Sequence, residues 1–110
     1  MENMTFADFQ KMDLRVGEIV SAEEIEGADK LYRVTVDLGG EKRTMVAGIK
    51  QHYAKEELAG KKVLVLINLE PKKIRGVESH GMVLCAHNAD RSRLVCTTVE
   101  KEIEAGAKVS

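Results

Sequence analysis

The chain contains no tryptophan and only two phenylalanines and two tyrosines, so a surface that stacks a run of unpaired bases on aromatic rings is poorly supplied. It has a single proline, no internal repeat and no low-complexity tract, which argues against a linker or a solenoid. Its two cysteines, Cys85 and Cys96, are too few for a disulfide framework and read as reduced packing residues. No apolar run approaches the roughly 20 residues that cross a bilayer, so no membrane partner is expected. The opening MENMTFADFQ lacks the cationic start and apolar stretch of a secretory signal, and a cytoplasmic location is the expectation. A basic excess is missing as well: the formal net charge is -1, which gives nucleic-acid binding no support.

What is present is globular. At 110 residues, 44% apolar and 32% charged, the chain suits one domain spanning 1–110 with one core. Its charge is unevenly spread: residues 1–29 carry 2 bases and 8 acids, whereas residues 30–94 carry 13 bases and 7 acids. Two ordinary solvated faces would produce the same asymmetry, so motifs must decide its meaning.

Thr5 followed by Asp8 resembles a helix N-cap, so a short helix through Phe6, Phe9 and Met12 should precede the first strand, with both rings in the core. Leu14 to Val20 alternates as a half-buried strand, with Gly17 marking a bulge or bend. Leu31 to Leu38 and Lys42 to Ala47 flank Gly39-Gly40 and should form a hairpin. A short helix is expected over 51–58, with Gly60 just beyond it. Val63 to Leu69 reads as a buried strand, Gly81 to Ala86 as a fifth and Leu94 to Val99 as a further short one. Three strands, a short helix and two strands is the order of an all-β, five-stranded OB-fold Greek-key barrel, here with short helices and N- and C-terminal extensions. An α+β sandwich fits almost as well.

The run Phe9-Gln10-Lys11-Met12-Asp13-Leu14-Arg15-Val16-Gly17-Glu18-Ile19 resembles the opening of the tRNA-binding domain family, found in methionyl-tRNA synthetase C-terminal modules and in free-standing relatives. The likeness continues through Ala28-Asp29-Lys30-Leu31, Arg43 to Ile49, His52-Tyr53, the run from Asn68 to Met82, and Gly106-Ala107-Lys108-Val109. One departure is that Glu26-Gly27 stands where many relatives have His-Pro. The resemblance implies an OB barrel that binds tRNA largely by shape, dimerises through elements outside the five strands, and lacks catalysis of its own. Aminoacylation would reside in an associated methionyl-tRNA synthetase chain. The alternative from the same scaffold is a chaperone like CsaA that binds unfolded peptides.

OB folds bind oligonucleotides across strands two and three, between the loops joining strands one to two and four to five. Those loops are expected at Ser21–Lys30 and Glu70–His80, the second a mobile platform carrying Lys72, Lys73 and Arg75, with Asn68 and Ser79 as neutral donors. A solvated loop is the bland alternative. Lys30 and Lys42 extend the candidate basic surface, Lys42 being preferred to Arg43, while Arg33 is as well explained by a cross-strand acid. Met82 is placed either at the RNA, padding a flipped base, or in the core. His80, Cys85, His87 and Cys96 are metal-competent, but no CxxC or HxxxH pair exists and no metal or other cofactor is expected. No catalytic motif stands out. Asp13 and Arg15 should tie the first strand to a neighbour.

Residues 94–110 remain outside the barrel, and Leu94, Val95, Cys96, Val99, Ile103 and Val109 would be sticky if exposed. They are read as a dimerisation extension in a symmetric homodimer; the alternative is that the tail packs back over its own barrel.

Overall fold

A computed structural model describes residues 1–110. The Thr5 hydroxyl accepts from the Asp8 amide at 3.1 Å and caps a short helix, α1 (Phe6–Gln10). Its packing departs from expectation. No residue of α1 is buried, Phe6 is 72% exposed, and the Phe6 and Phe9 rings stack on one another with centroids 6.3 Å apart. The core closes without them.

β1 (Leu14–Glu24) runs four residues further than its alternation suggested, which shortens the loop that follows. β2 (Tyr32–Asp37) and β3 (Lys42–Ala47) form the hairpin with Asp37 opposite Lys42 and Tyr32 opposite Ala47. α2 (Lys55–Leu58) is shorter than expected because residues 49–53 form a separate turn, in which the His52 and Tyr53 amides both donate to the Ile49 carbonyl. β4 (Lys62–Leu66) stops short of Leu69 as well, although the Ile67 amide carries the β1 ladder one bond further, to the Asp13 carbonyl at 2.9 Å. The expected loop at 70–80 is a second hairpin, β5 (Lys72–Ile74) and β6 (Val77–Ser79). The expected fifth strand divides into β7 (Met82–Val83), which pairs with β4, and β8 (Cys85–His87), which pairs with β9 (Leu94–Cys96). β10 (Lys108–Val109) ends the chain against β1.

The main sheet runs β3-β2-β1-β4-β7, with β10 joining β1. It closes on itself where the His80 amide donates to the Thr44 carbonyl at 2.8 Å and the Val46 amide donates to the Ser79 hydroxyl at 3.0 Å. This is the OB-type barrel, and a sandwich is excluded. Alternate residues Val34, Val36, Met45, Val63 and Val65 fill it with Ile19 and Leu58, all essentially without solvent exposure.

β1 must serve two edges at once, pairing with β4 along residues 14–18 and with β2 along residues 18–24. The bend this requires is a register shift between Ile19 and Ser21, so the bulge falls at Val20 and not at Gly17. Gly17 serves a different purpose, because a Cβ there would stand 2.4 Å from Val36 Cγ1, inside the barrel. Its missing side chain is what admits Val36.

The tail returns to its own barrel. The Gly106 amide donates to the Val16 carbonyl at 2.6 Å, the Val16 amide to the Ala107 carbonyl at 2.8 Å, and Thr98 Oγ1 to the Lys62 carbonyl at 2.6 Å. Gly106 lies at φ +92° with its α-carbon against the β2–β3 turn, where a Cβ would meet the Leu38 carbonyl oxygen at 2.3 Å. Residues 94–110 thus hydrogen-bond to their own barrel while leaving Val95 and Ile103 exposed, at 43% and 40%.

Gly17→Ala should lower the unfolding free energy by about 1–3 kcal/mol in urea denaturation, the cost of overpacking a filled core. Combined with Val36→Ala, which removes the clashing methyl groups, it should cost less than the sum of the two single changes. Additivity in that cycle would contradict the role given to Gly17.

Candidate nucleic-acid interface

The β5–β6 hairpin turns through Arg75 and Gly76, at φ +51° and +80°. Positive φ at both central residues is the primed turn whose twist suits a two-residue hairpin. Gly76 adopts it freely, but an arginine in the left-handed region carries roughly 1–2 kcal/mol of strain. The basic segment is thus a braced hairpin with a cation held at its tip, not a mobile loop. Its base is anchored by the barrel closure at Ser79 and His80.

Arg75 lines a cleft of about 320 Å³ with the β1–β2 loop, residues Gly27 to Leu31, so it shares that space with Lys30. The loop is fixed there by the Ala28 amide on the Ile25 carbonyl and the Lys50 amide on the Lys30 carbonyl. Lys42 sits at the far end of β3, in a second cleft of about 490 Å³ that reaches Pro71 and His80. Lys72 and Lys73 are exposed on β5 between these ends. β6 packs against β3, so β5 with Lys72 and Lys73 is the outer strand of the hairpin, and its tip brings Arg75 to Lys30. None of these five takes part in an ion pair, whereas Lys11, Arg15, Arg43, Lys50, Lys55, Lys62 and Lys108 are all matched with acids.

Other candidate residues have internal partners. Ser79 is 6% exposed; its hydroxyl accepts from the Val46 amide and donates to the Gly81 carbonyl at 3.1 Å. Asn68 accepts from the Asp13 amide at 2.8 Å through Oδ1 and donates to the Lys11 carbonyl through Nδ2. Both side chains position backbone, and the one hydroxyl proton of Ser79 is committed to the Gly81 carbonyl. Arg43 donates to the Ile67 carbonyl at 2.7 Å, spanning the barrel seam, and lies 3.4 Å from Glu41. Asp13 and Arg15 pair at 2.6 Å and tie the first strand to the C-terminal segment, Lys108 standing 3.1 Å from the Asp13 carboxylate and Arg15 Nη1 donating to the Gly106 carbonyl at 3.3 Å. Hydrogen bonding from Arg15, reinforced by Lys108, holds the Asp13 carboxyl below the usual carboxylate range. The register sets Arg33 opposite Glu23 of β1.

Met82 is 42% exposed, so it is not a core residue. It lines a mostly apolar cleft of about 300 Å³ with Val46, Ile49, Leu84 and Leu94. His87 and Arg91 form its polar rim, Arg91 Nη1 standing 3.0 Å from His87 Nε2. Nothing in the sequence pattern singles out Arg91; it lies at φ +60° in a turn whose only signal is the string Asn88-Ala89-Asp90. No group of three or more His, Cys, Asp or Glu side chains gathers to hold a metal ion.

The family model described as "Putative tRNA binding domain" matches residues 14–108. The methionine–tRNA ligase of Pyrococcus furiosus is 50% identical over 109 residues, which cover 99% of this chain and 15% of that protein. The chain thus spans about 15% of the length of the curated relatives it matches. The crystal structure of a MetRS related protein from Pyrococcus horikoshii superposes with a TM-score of 0.94 at 40% identity, covering 100% of both chains. Chaperone CsaA from Bacillus anthracis str. Ames superposes with a TM-score of 0.89 at 28% identity, covering 99% of this chain and 100% of that one.

Ser79→Ala should cost about 1–3 kcal/mol of stability, because the Val46 amide loses its acceptor at the seam. Lys72→Ala and Lys73→Ala should stay within about 0.5 kcal/mol of the parent. Chemical denaturation of the three variants separates positioning residues from surface cations, and a neutral Ser79→Ala would refute the seam assignment.

Proposed function

The chain belongs to the tRNA-binding domain family, and from that premise we propose that it is a non-catalytic module which grips tRNA by its phosphates and outline along the β3 edge and the β5–β6 hairpin. In this reading it supports aminoacylation by a methionyl-tRNA synthetase, as part of the same chain or as a partner subunit. The carrying observation is the cleft in which Lys30 and Arg75 meet, because it unites the two loops that flank an OB-fold ligand face. None of the five is within ion-pair distance of an acid, although Asp37 lies opposite Lys42 and Glu78 opposite Lys73, so all five remain available for phosphate contacts. The net charge of -1 is not an obstacle, since the acids elsewhere neutralise other cations. Tyr32 is buried and its hydroxyl donates to the Tyr53 carbonyl at 2.8 Å, so it offers no stacking platform. That favours a folded RNA's shape over a single strand's bases. Phosphate contacts made beside a catalytic domain on one tRNA raise apparent affinity through effective concentration. A cytoplasmic location accompanies this reading.

Replacing Lys72, Lys73 and Arg75 together by Ala should weaken tRNA retention in a filter-binding titration and reduce its log-log salt slope by about one unit per lost phosphate contact. Normal binding with an unchanged slope would move the site elsewhere. Unfolded-peptide binding, suggested by the likeness to the chaperone CsaA, is the second reading. The apolar cleft around Met82 is the observation that favours it. Competition between tRNA and an unfolded polypeptide for the chain distinguishes the two: tRNA should win, and displacement by peptide alone would favour the chaperone.

The same reading makes the module a symmetric homodimer. Beside Val95 and Ile103, which the 94–110 extension leaves exposed, a sticky surface surrounds α1: Phe6, Phe9, Met12 and Val109 line an open cleft of about 400 Å³. Large exposed rings of this kind mark an interface in a soluble chain, and a two-fold arrangement closes it most simply. Phe6→Asp with Phe9→Asp should halve the mass in light scattering at low micromolar concentration while leaving the fold intact. A parent chain already at monomer mass would refute the dimer.

A further inference from the structure

The β8–β9 hairpin holds both thiols of the chain face to face, with Cys85 directly opposite Cys96. The flanking pairs are bonded, the Thr97 amide donating to the Leu84 carbonyl at 3.0 Å and the Asn88 amide to the Arg93 carbonyl at 3.3 Å. The alternation of an antiparallel ladder therefore puts Cys85 and Cys96 at a non-hydrogen-bonded position, and the Cys96 amide donates to the Tyr53 hydroxyl instead, at 3.0 Å. Opposed α-carbons at such positions lie about 4.5 Å apart and their side chains close together, within the span a disulfide requires. Both thiols are free and half-buried.

The two sulfurs have different surroundings. Cys96 lines an open cleft of about 260 Å³ with Tyr53, Lys61 and Lys62. Lys62 is engaged by Glu102 at 2.6 Å, while Lys61 has no acidic partner and is left to meet an anion entering the cleft. The Cys85 thiol donates toward Cys96, which with Tyr53 and Lys61 pulls the Cys96 thiol below its ordinary range, while the donor Cys85 is pushed up. Both thiols border clefts, Cys85 the one around Met82 and Cys96 the one that also holds Lys61, so the unpaired lysine is what distinguishes Cys96.

We propose that Cys85 and Cys96 form a redox-active dithiol, Cys96 attacking and Cys85 resolving, whose substrate is a small anionic disulfide of the glutathione type. The Cys96 thiolate attacks one sulfur of that disulfide, forming a mixed disulfide and releasing one small thiolate. Cys85 then loses its proton and attacks the Cys96 sulfur, so that the cross-strand disulfide forms and the second small thiolate departs. The protein dithiol is oxidised by two electrons, the small disulfide is reduced to two thiols, and the protons of both cysteines end on the leaving sulfurs. The product pins β8 to β9 beside the cleft that holds Met82.

The reduced full chain is incubated with oxidised glutathione and followed by intact mass and thiol titration. Loss of both thiols, with a product lighter by two hydrogen atoms and no lasting adduct, is expected. Cys85→Ser should accumulate a single glutathione adduct, and Cys96→Ser should react at least about tenfold more slowly, because Cys85 does not line the cleft that Lys61 shares. Lys61→Gln should slow the reaction with oxidised glutathione and not with cationic cystamine. A parent chain that keeps both thiols, or ends as a stable adduct, would overturn the dithiol; equal rates in the two serine variants would overturn the assignment of Cys96 as attacker.

Discussion

One strand carries the architecture. β1 pairs with β2 on one edge and β4 on the other and also receives β10, so every major segment of the barrel is positioned relative to its eleven residues. Such a strand has to bend sharply and let a neighbour pass close inside. The extra residue at Val20 supplies the bend, and the missing side chain at Gly17 supplies the space for Val36. With β1 so curved, β3 and the chain around Ser79 come within hydrogen-bonding distance and the sheet closes. The β5–β6 hairpin then has only one place to go, along β3 toward the β1–β2 loop.

That closure is what converts scattered basic residues into a surface. Lys30 and Arg75 are far apart in the chain and share a cleft because the hairpin extends the seam. The tip is braced by its own strand pairing, so the cost of ordering a flexible loop at each binding event is largely met in folding. Net charge is a poor guide in such a protein. Some acids are matched to particular cations, for example Glu24 to Lys50 and Glu102 to Lys62, while Lys30 and Arg75 stay unpaired in one cleft.

The ends of the chain are held by the same kind of specific pairing. Asp13 is bridged by Arg15 and Lys108, and Asn68 fastens the segment between α1 and β1, so both termini are laced to one corner of the barrel. What that lacing leaves uncovered is α1 with its stacked rings. The tail, by contrast, uses its glycine and its amides against β1 and the β2–β3 turn.

The sequence by itself determined the hairpin strands Tyr32–Asp37 and Lys42–Ala47 and, from the continuous apolar run at 63–69, the buried strand Lys62–Leu66, together with the Thr5 cap and the basic string from Lys72 to Arg75. These are local properties, since a period of two states which face is buried whatever it packs against. Only the tertiary structure decided the partners of the polar side chains. Ser79 and Asn68 looked like ligand donors because a hydroxyl or an amide has the same hydrogen-bonding chemistry toward a phosphate as toward a backbone group. Which of the two it meets depends on strands far away in the chain. The same holds for Phe6, whose apolarity could not say that the core fills without it, and for Cys85 and Cys96, whose meeting depends on β8 and β9 pairing outside the barrel. Residue type fixes what a group can bond to; distant chain closure chooses the partner.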